Sequence, residues 1–274
     1  MTTRARATPL PDKPRFSAII LAGDRRPADP LVLKAGVAGK ALIPVAGIPM
    51  VQRVLSALAG SRFIGRRILC GPPRDALKTA PRLLEMIQAG EVEWMESQPS
   101  PCLSAIHSMA RIPDTEPVLL TTADHALLST EILDEFCRHV LDHEHDVVAG
   151  LARYEDILRA YPETNRTALR FRDGAFSGCN LFAFPTPAGR RITAFWRRVE
   201  QQRKNPFRVV SAAGWMAVLR YALGRLTLEE GLHRISRRLD LRVGVAVLSQ
   251  PEAAIDIDTV EDWKLADKIA RERP

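Results

Sequence analysis

A lysine and a scattered set of aspartates are the residues of this chain whose types suit phosphate and divalent-cation chemistry. Lys40 lies in Gly39-Lys-Ala-Leu-Ile-Pro-Val-Ala-Gly-Ile-Pro49, downstream of a Leu21-Ala22-Gly23 junction. A strand that ends in glycine lets backbone N–H groups approach a polyphosphate, and a lysine opposite them supplies a compact point charge to the same oxygens. An ordinary strand-to-loop turn with a surface lysine would have the same local sequence. Asp124 stands in Thr121-Thr-Ala-Asp-His-Ala-Leu-Leu128, where a carboxylate at the carboxyl end of a buried strand could hold Mg2+ against phosphate oxygens. It could instead cap a helix, although Thr122 and Ser129 are both able to fill that role. The last segment is Ala254-Ile-Asp-Ile-Asp-Thr-Val-Glu-Asp-Trp263. Asp256 and Asp258 share one face of an extended stretch there, and Thr259 with Asp262 reads as a capping-box-like helix start. Helix-cap chemistry alone would also account for these acids.

The elements that must position these residues alternate. Phe16 to Ala22 is a nearly continuous apolar run that suits a parallel strand buried on both faces. Further strands are predicted over Arg67–Cys70, Val92–Met95, Pro117–Thr122, Asp146–Leu151 and Arg242–Leu248. Helices are predicted over Met50–Leu58, Leu77–Gln88, Cys102–Arg111, Ser129–His139, Pro187–Arg203, Pro206–Arg238 and from Thr259 onward, with a loop rich in Gly, Pro and charge over Asp24–Lys40. Thr167–Arg172 and Asn180–Phe184 flank Asp173-Gly174, which is a hairpin signal. This rhythm predicts an α/β layer fold with a largely parallel sheet and ligands beyond the carboxyl ends of its strands.

Composition narrows the setting. A chain of 274 residues, 46% hydrophobic, can bury a full core without disulfides or a structural metal. Cys70, Cys102, Cys137 and Cys179 form no Cys-x-x-Cys pair, so neither a zinc ribbon nor a disulfide framework is expected, and a reducing cytoplasm fits best. Met1 to Arg15 is basic and lacks the apolar stretch of a secretory signal, and it is expected to be a disordered tail. No segment approaches the roughly 18 apolar residues of a membrane span. The net charge of +7 and pI near 9.6 suit a polyphosphate substrate, an anionic membrane surface or a nucleic acid. Aromatic residues make up only 6% and no aromatic-interleaved basic stretch occurs, so nucleic acid is the weakest of the three.

Other residues invite a functional reading. His139 and His143 have helical i, i+4 spacing with His145 close by, as metal ligands can, but they fall at a predicted helix end where solvated imidazoles are ordinary. His125 adjoins Asp124 and is a better functional candidate than these, unless it only positions that carboxylate. Phe207 to Leu248 mixes apolar runs with Arg208, Arg220, Arg225, Arg237 and Arg238. Such a pattern packs on a core with a basic outer face, or lies peripherally on an anionic membrane. Lys204, just before it, is a candidate contact for an acceptor phosphate.

Taken in order, these segments resemble the nucleotidyltransferase superfamily that includes the molybdenum cofactor guanylyl- and cytidylyltransferases and the sugar-phosphate nucleotidylyltransferases. Its members look like a strand ending in Leu-Ala-Gly, a Lys ahead of Leu-x-Pro-Val-x-Gly-x-Pro, a mid-chain Asp after a strand, and a late Asp-x-Asp-Thr-x-Glu-Asp. The likeness runs from Phe16 to about Ala270. It implies a three-layer α/β sandwich of the nucleotide-diphospho-sugar transferase type, which is GT-A-like and Rossmann-like. Residues 16–274 would form one domain, with a hairpin insertion for the acceptor near 165–185. By the same resemblance Leu21, Ala22 and Gly23 wrap a nucleotide, Lys40 meets its phosphates, and Ser100, Pro101 and Ser104 lie near base and ribose. Asp124 and Asp258 hold Mg2+, and Gly178 and Asn180 line the acceptor pocket. The implied reaction moves a nucleoside monophosphate from CTP or GTP to a phosphorylated small molecule such as molybdopterin, a sugar phosphate or another phosphorylated alcohol, releasing pyrophosphate. The basic stretch 207–248, if it lies on a membrane, would suit a lipid-linked phosphate acceptor.

The chain departs from the pattern at one place. Where the family continues Gly-x-Gly-x-Arg-Met, this sequence has Gly23-Asp-Arg-Arg-Pro27. Arg25 or Arg26 is then the candidate clamp, since a guanidinium fork matches phosphate geometry. Asp24 beside a polyphosphate is unfavourable unless it faces away or helps to hold metal. Two other readings remain: a nucleotide-sugar glycosyltransferase, whose compact mid-chain Asp-x-Asp is missing from Asp124-His-Ala126, and a catalytically silent nucleotide-binding protein.

Overall fold

The apolar run near the start becomes the central strand of one large sheet. In the computed structural model, which describes residues 15–24, 29–193, 195–197 and 215–272, β1 (Phe16–Leu21) pairs in parallel with β4 (Ile64–Cys70) and with β6 (Val118–Thr122). Beyond β4, β5 (Glu93–Met95) forms the parallel outer edge. On the other side β9 (Gly174–Phe184) lies antiparallel between β6 and β7 (Val147–Arg153), and β10 (Val243–Leu248) runs parallel to β7. A short β8 (Leu169–Phe171) pairs with β9 across the turn Arg172-Asp173, Gly174 opening β9 at φ 146°. A separate ribbon joins β2 (Pro44–Val45) and β3 (Ile48–Pro49). Apart from β9, every strand of the large sheet points the same way, so their carboxyl ends share one edge.

Helices cover both faces because the strands are apolar on both. Along β1 the side chains alternate: Ala18 and Ile20 enter one buried cluster with α2 (Met50–Gly60), α4 (Pro81–Gln88) and α6 (Thr130–Asp142). Ile19 enters the opposite cluster, with Ala105 and Met109 of α5 (Pro101–Met109). This period of two, buried at each step, is what makes three layers. A third cluster packs Leu31 of α1 (Pro30–Ala35) and Met50 against Ile255, Ile257 and Leu265, Ala266 and Ile269 of α10 (Val260–Glu272). Ile255 and Ile257 are fully buried, each gaining about 1.5–3 kcal/mol from leaving water. Their alternation forces Asp256 and Asp258 to the other side of that extended segment.

Several boundaries differ from the sequence reading. The expected loop from Asp24 to Lys40 contains α1, capped by Asp29 through Leu31 N–H at 2.9 Å and closed by Gly36 at φ 64°. The expected helix over Leu77–Gln88 is two pieces, α3 (Arg74–Leu77) and α4, because Pro81 has no N–H with which to continue a helix and begins a new one instead. Another helix, α7 (Tyr154–Ala160), follows β7 unforeseen. The described part of 206–238 is also two helices. α8 (Trp215–Ala222) ends at Gly224, φ 64°, and α9 (Leu228–Leu239) starts on a Thr227–Glu230 capping box. Within 187–203 the structure shows a 3-10 turn at Gly189–Arg191. Residues 1–14, Arg25, Arg26, Lys204 and the stretch 207–214 lie outside the described residues. No helix among the described residues is long and apolar enough to cross a membrane.

Candidate active site

Parallel register brings the first two segments together. Leu21 of β1 stands opposite Thr122 of β6, and Ala123 N–H donates to Leu21 C=O at 2.9 Å. Ala22-Gly23 and Ala123-Asp124 therefore leave the sheet side by side. The late segment joins them where Ile257 N–H donates to the carbonyl of Asp124 at 3.1 Å.

Lys40 completes the centre. It opens a 3-10 turn, Lys40–Leu42, and its backbone N–H donates to Asp24 Oδ1 at 2.9 Å. The Asp24 carboxylate is thus turned onto that turn, which answers how an acid can follow the glycine junction. Burial, with Asp29 adding to it, pushes the Asp24 pKa up against that hydrogen bond. Gly39 is required beside it, since a Cβ there would lie 2.9 Å from Asp24 Oδ2. The Lys40 ammonium sits between two acids, 3.1 Å from Asp124 Oδ2 and 2.7 Å from Asp258 Oδ1. Burial works against its charge, but Asp124 and Asp258 outweigh burial and hold the Lys40 pKa above its usual value. Thr122 Oγ1 donates to the other oxygen of Asp124. Two carboxylates so placed form an all-oxygen donor pair of the sort that holds a hard divalent cation.

On one side of this centre, beyond the strands' carboxyl ends where a nucleotide cleft is expected, backbone segments pack closely. A Cβ at Gly23 would stand 2.8 Å from Ser97 Cβ, and one at Gly71, φ 84°, would stand 2.9 Å from the Ala22 backbone. The ends of β1 and β4 and the loop before α5 thus approach more closely than side chains allow. Ser100 caps α5 by accepting from Leu103 N–H at 3.2 Å, and Pro101 is its first residue. Ser104 is placed differently from the sequence reading: it is buried, and its Oγ accepts from Gln98 N–H at 2.8 Å. It braces the loop from beneath.

On the other side, Gly178 of β9 is exposed, with no atom within 4 Å of where a Cβ would stand. Asn180, at φ 49°, donates from Nδ2 to Asp256 Oδ2 at 2.8 Å. The residue missed in the sequence is Arg166. Its guanidinium pairs with Asp256 and Asp262 and donates to the Asp256 carbonyl at 2.6 Å. An arginine in a loop, far in sequence from the acids it meets, carries no local signal of this.

Among the described residues, the histidines singled out in the sequence form no metal-binding group. His125 is 1% exposed, and burial pushes its pKa down to about 4 despite Asp124, so it is a neutral core residue at physiological pH. His139, His143 and His145 stack with ring centroids 4.2 and 5.9 Å apart. Among the described residues no group of three His, Cys, Asp or Glu side chains is arranged to hold a metal.

A family model, the MobA-like NTP transferase domain, matches residues 18–243. The chain belongs to this family. As a MobA-like NTP transferase it is a nucleotidyltransferase, and the matched span takes in Gly23, Lys40 and Asp124. A solved structure named as a hypothetical transferase from Thermus thermophilus is similar, at 29% identity over 91% of this chain and 99% of that one, with a TM-score of 0.75. Two more distant structures share the fold. One is 4-diphosphocytidyl-2C-methyl-D-erythritol synthase from Anaerococcus prevotii, 14% identical over 94% of this chain and 97% of that one, TM-score 0.58. The other is CMP:2-keto-3-deoxy-manno-octonic acid synthetase complexed with CTP, 12% identical over 95% and 100%, TM-score 0.55. Comparison with curated proteins gave no match.

Proposed function

We propose that this MobA-like NTP transferase moves a nucleoside monophosphate from CTP or GTP to a phosphorylated acceptor in a magnesium-dependent reaction. The observation that carries this is the Lys40 ammonium resting between Asp124 and Asp258, beside the Gly23 turn. The point where both carboxylates converge already accepts a cation, and the donors are oxygens, which is the set that magnesium takes together with substrate phosphates and water. Asp124 and Asp258 would hold the ion, which when bound neutralises charge building on the phosphate oxygens.

The chain's own residues do the rest. Leu21 to Gly23 border the phosphates at the end of β1, where the Ala22 N–H is held by the Cys70 carbonyl at 2.8 Å and Gly23 leaves room for close approach. The loop into α5 with Ser100 and Pro101 borders base and ribose, and Lys40 turns its ammonium to the triphosphate. An acceptor phosphate oxygen attacks the α-phosphorus in line. A new P–O bond forms as the bond to the bridging oxygen breaks, and pyrophosphate leaves. The acceptor phosphate is already anionic, so no strong base is required, and rate comes from positioning and preorganised charge. Gly178 and Asn180 border the acceptor, and Arg25, Arg26 and Lys204 are the candidate clamps on either phosphate. A lipid-linked acceptor, with peripheral membrane contact through 207–248, draws support from the exposed Leu219 and Leu223 of that region.

Thermal melting with CTP, GTP, ATP and UTP, each with and without Mg2+, tests this reading. A ligand that binds only the folded state raises the apparent stability. CTP or GTP should raise the midpoint with Mg2+ and much less without it; no nucleotide effect under either condition would remove the proposal.

A further inference from the structure

Asp258 is the more exposed of the two proposed metal ligands, its side chain 65% accessible, so burial alone does not fix its place. Hydrogen bonds to its backbone segment add to the Lys40 contact. Asp262 Oδ2 accepts from Asp258 N–H at 3.3 Å and from Thr259 N–H at 2.9 Å. Asp262 Oδ1 in turn accepts from Arg166, which also grips the carboxylate and the carbonyl of Asp256. One guanidinium therefore clamps the segment on both sides of Asp258. Arg166 is itself only 10% exposed, with its fork engaged by acids, so it is poorly placed to touch a substrate. A planar fork of several N–H donors can serve two carboxylates and a carbonyl at once, whereas an ammonium on a flexible stem cannot hold the same geometry.

We propose that Arg166 is a positioning residue for metal binding: by clamping Asp256 and Asp262 it holds Asp258 opposite Asp124. The inference rests on the reading of Asp124 and Asp258 as metal ligands. It predicts that Arg166 governs metal affinity while leaving metal-free nucleotide binding alone, because the Gly23 and Ser97 side of the cleft does not depend on it. Loss of a side chain that orients a metal ligand ordinarily weakens metal binding by about 10- to 100-fold.

The test is an electron paramagnetic resonance titration of Mn2+, standing in for Mg2+, into the full chain with CTP or GTP, together with nucleotide affinity measured in EDTA. Arg166→Gln should bind Mn2+ about 10-fold or more weakly with its metal-free nucleotide affinity unchanged. Arg166→Lys, keeping the charge without the fork, should fall between. Asp258→Asn should lose Mn2+ binding; if it binds Mn2+ like the parent, the metal reading fails and this proposal with it. If Asp258→Asn loses Mn2+ while a folded Arg166→Gln keeps it, only the role of Arg166 is overturned. Should Arg166→Gln fail to fold, Asn180→Gly is the second probe, since it removes the amide that steadies Asp256 at a left-handed position that glycine adopts readily. Parent-like Mn2+ affinity in both Asn180→Gly and Arg166→Lys would equally overturn the proposal.

Discussion

The backbone N–H of Ile257 donates to the backbone carbonyl of Asp124 at 3.1 Å. Because that bond joins main chain to main chain, the approach of the segment carrying Asp258 to the end of β6 does not depend on either carboxylate. The acids can therefore be changed one at a time with the scaffold kept.

Asp124→Ala should leave the fold intact and abolish the magnesium-dependent part of nucleotide stabilisation. The side chain is 21% exposed and shares Lys40 with Asp258, so its removal should cost about 1–3 kcal/mol of stability. The measurement is the melting midpoint with nucleotide, with and without Mg2+. A parent-like magnesium effect would show that Asp124 does not hold the ion.

Lys40→Met tests whether the ammonium occupies the place of a metal. Without it Asp124 and Asp258 lose the cation they share, so the metal-free protein should lose about 1–3 kcal/mol near neutral pH. Mg2+ alone should then stabilise the variant more than the parent. The pH dependence follows from the raised Lys40 pKa. The ion pairs contribute fully below the unfolded lysine value of about 10.4 and are lost as pH rises through the higher folded value. On the alkaline side, the gap between parent and variant in metal-free melts should accordingly close only in strong alkali.

The same centre shows what could be read in the chain and what could not. Lys40, Asp124 and Asp258 were visible because each sits in a local pattern: a glycine junction with a following lysine, a strand end, and an alternating Asp-x-Asp before a helix cap. The nearness of the glycine junction to Asp124 follows from parallel topology, which the strand–helix rhythm foretells, whereas the approach of Lys40 and Asp258 rests on contacts remote in sequence. Arg166 was not visible, since its role consists entirely of contacts remote in sequence. Ser104 was legible as part of the loop into α5 but not as a buried brace, because its partner is a backbone N–H six residues earlier. The helix α1 was passed over although Asp29, Pro30 and Gly36 form an ordinary set of start and stop signals, the surrounding charge and proline having suggested a loop.

Gly23→Ala should weaken nucleotide binding through Ser97. The added methyl would stand 2.8 Å from Ser97 Cβ, closer than carbon atoms pack, so the loop must shift. The double variant Gly23→Ala/Ser97→Gly removes the obstructing carbon and should recover most of the affinity. Residues in contact couple by about 0.5–3 kcal/mol in such cycles. Additive losses, read by calorimetric titration of CTP or GTP with Mg2+, would place the glycine requirement elsewhere.

At the opposite edge of the sheet, acid stability should depend on Asp146. Its carboxylate accepts from the Arg242 backbone at 2.8 Å, from the Arg242 side chain and from Thr186 at 2.7 Å, tying the starts of β7 and β10. The side-chain bonds from Arg242, working against burial, hold its pKa down to about 2. A depressed carboxylate contributes stability above its unfolded value of about 3.9 and loses it as pH falls toward the folded value. Asp146→Asn should therefore be about 1–3 kcal/mol less stable than the parent at pH 7, with the difference shrinking steadily in denaturant titrations below about pH 4. Nucleotide affinity should not change, because Asp146 precedes β7 while the cleft lies beyond the strands' carboxyl ends. A gap constant across that pH range would mean that the charge on Asp146 contributes nothing. A fall in nucleotide affinity would mean that the two edges of the sheet are coupled.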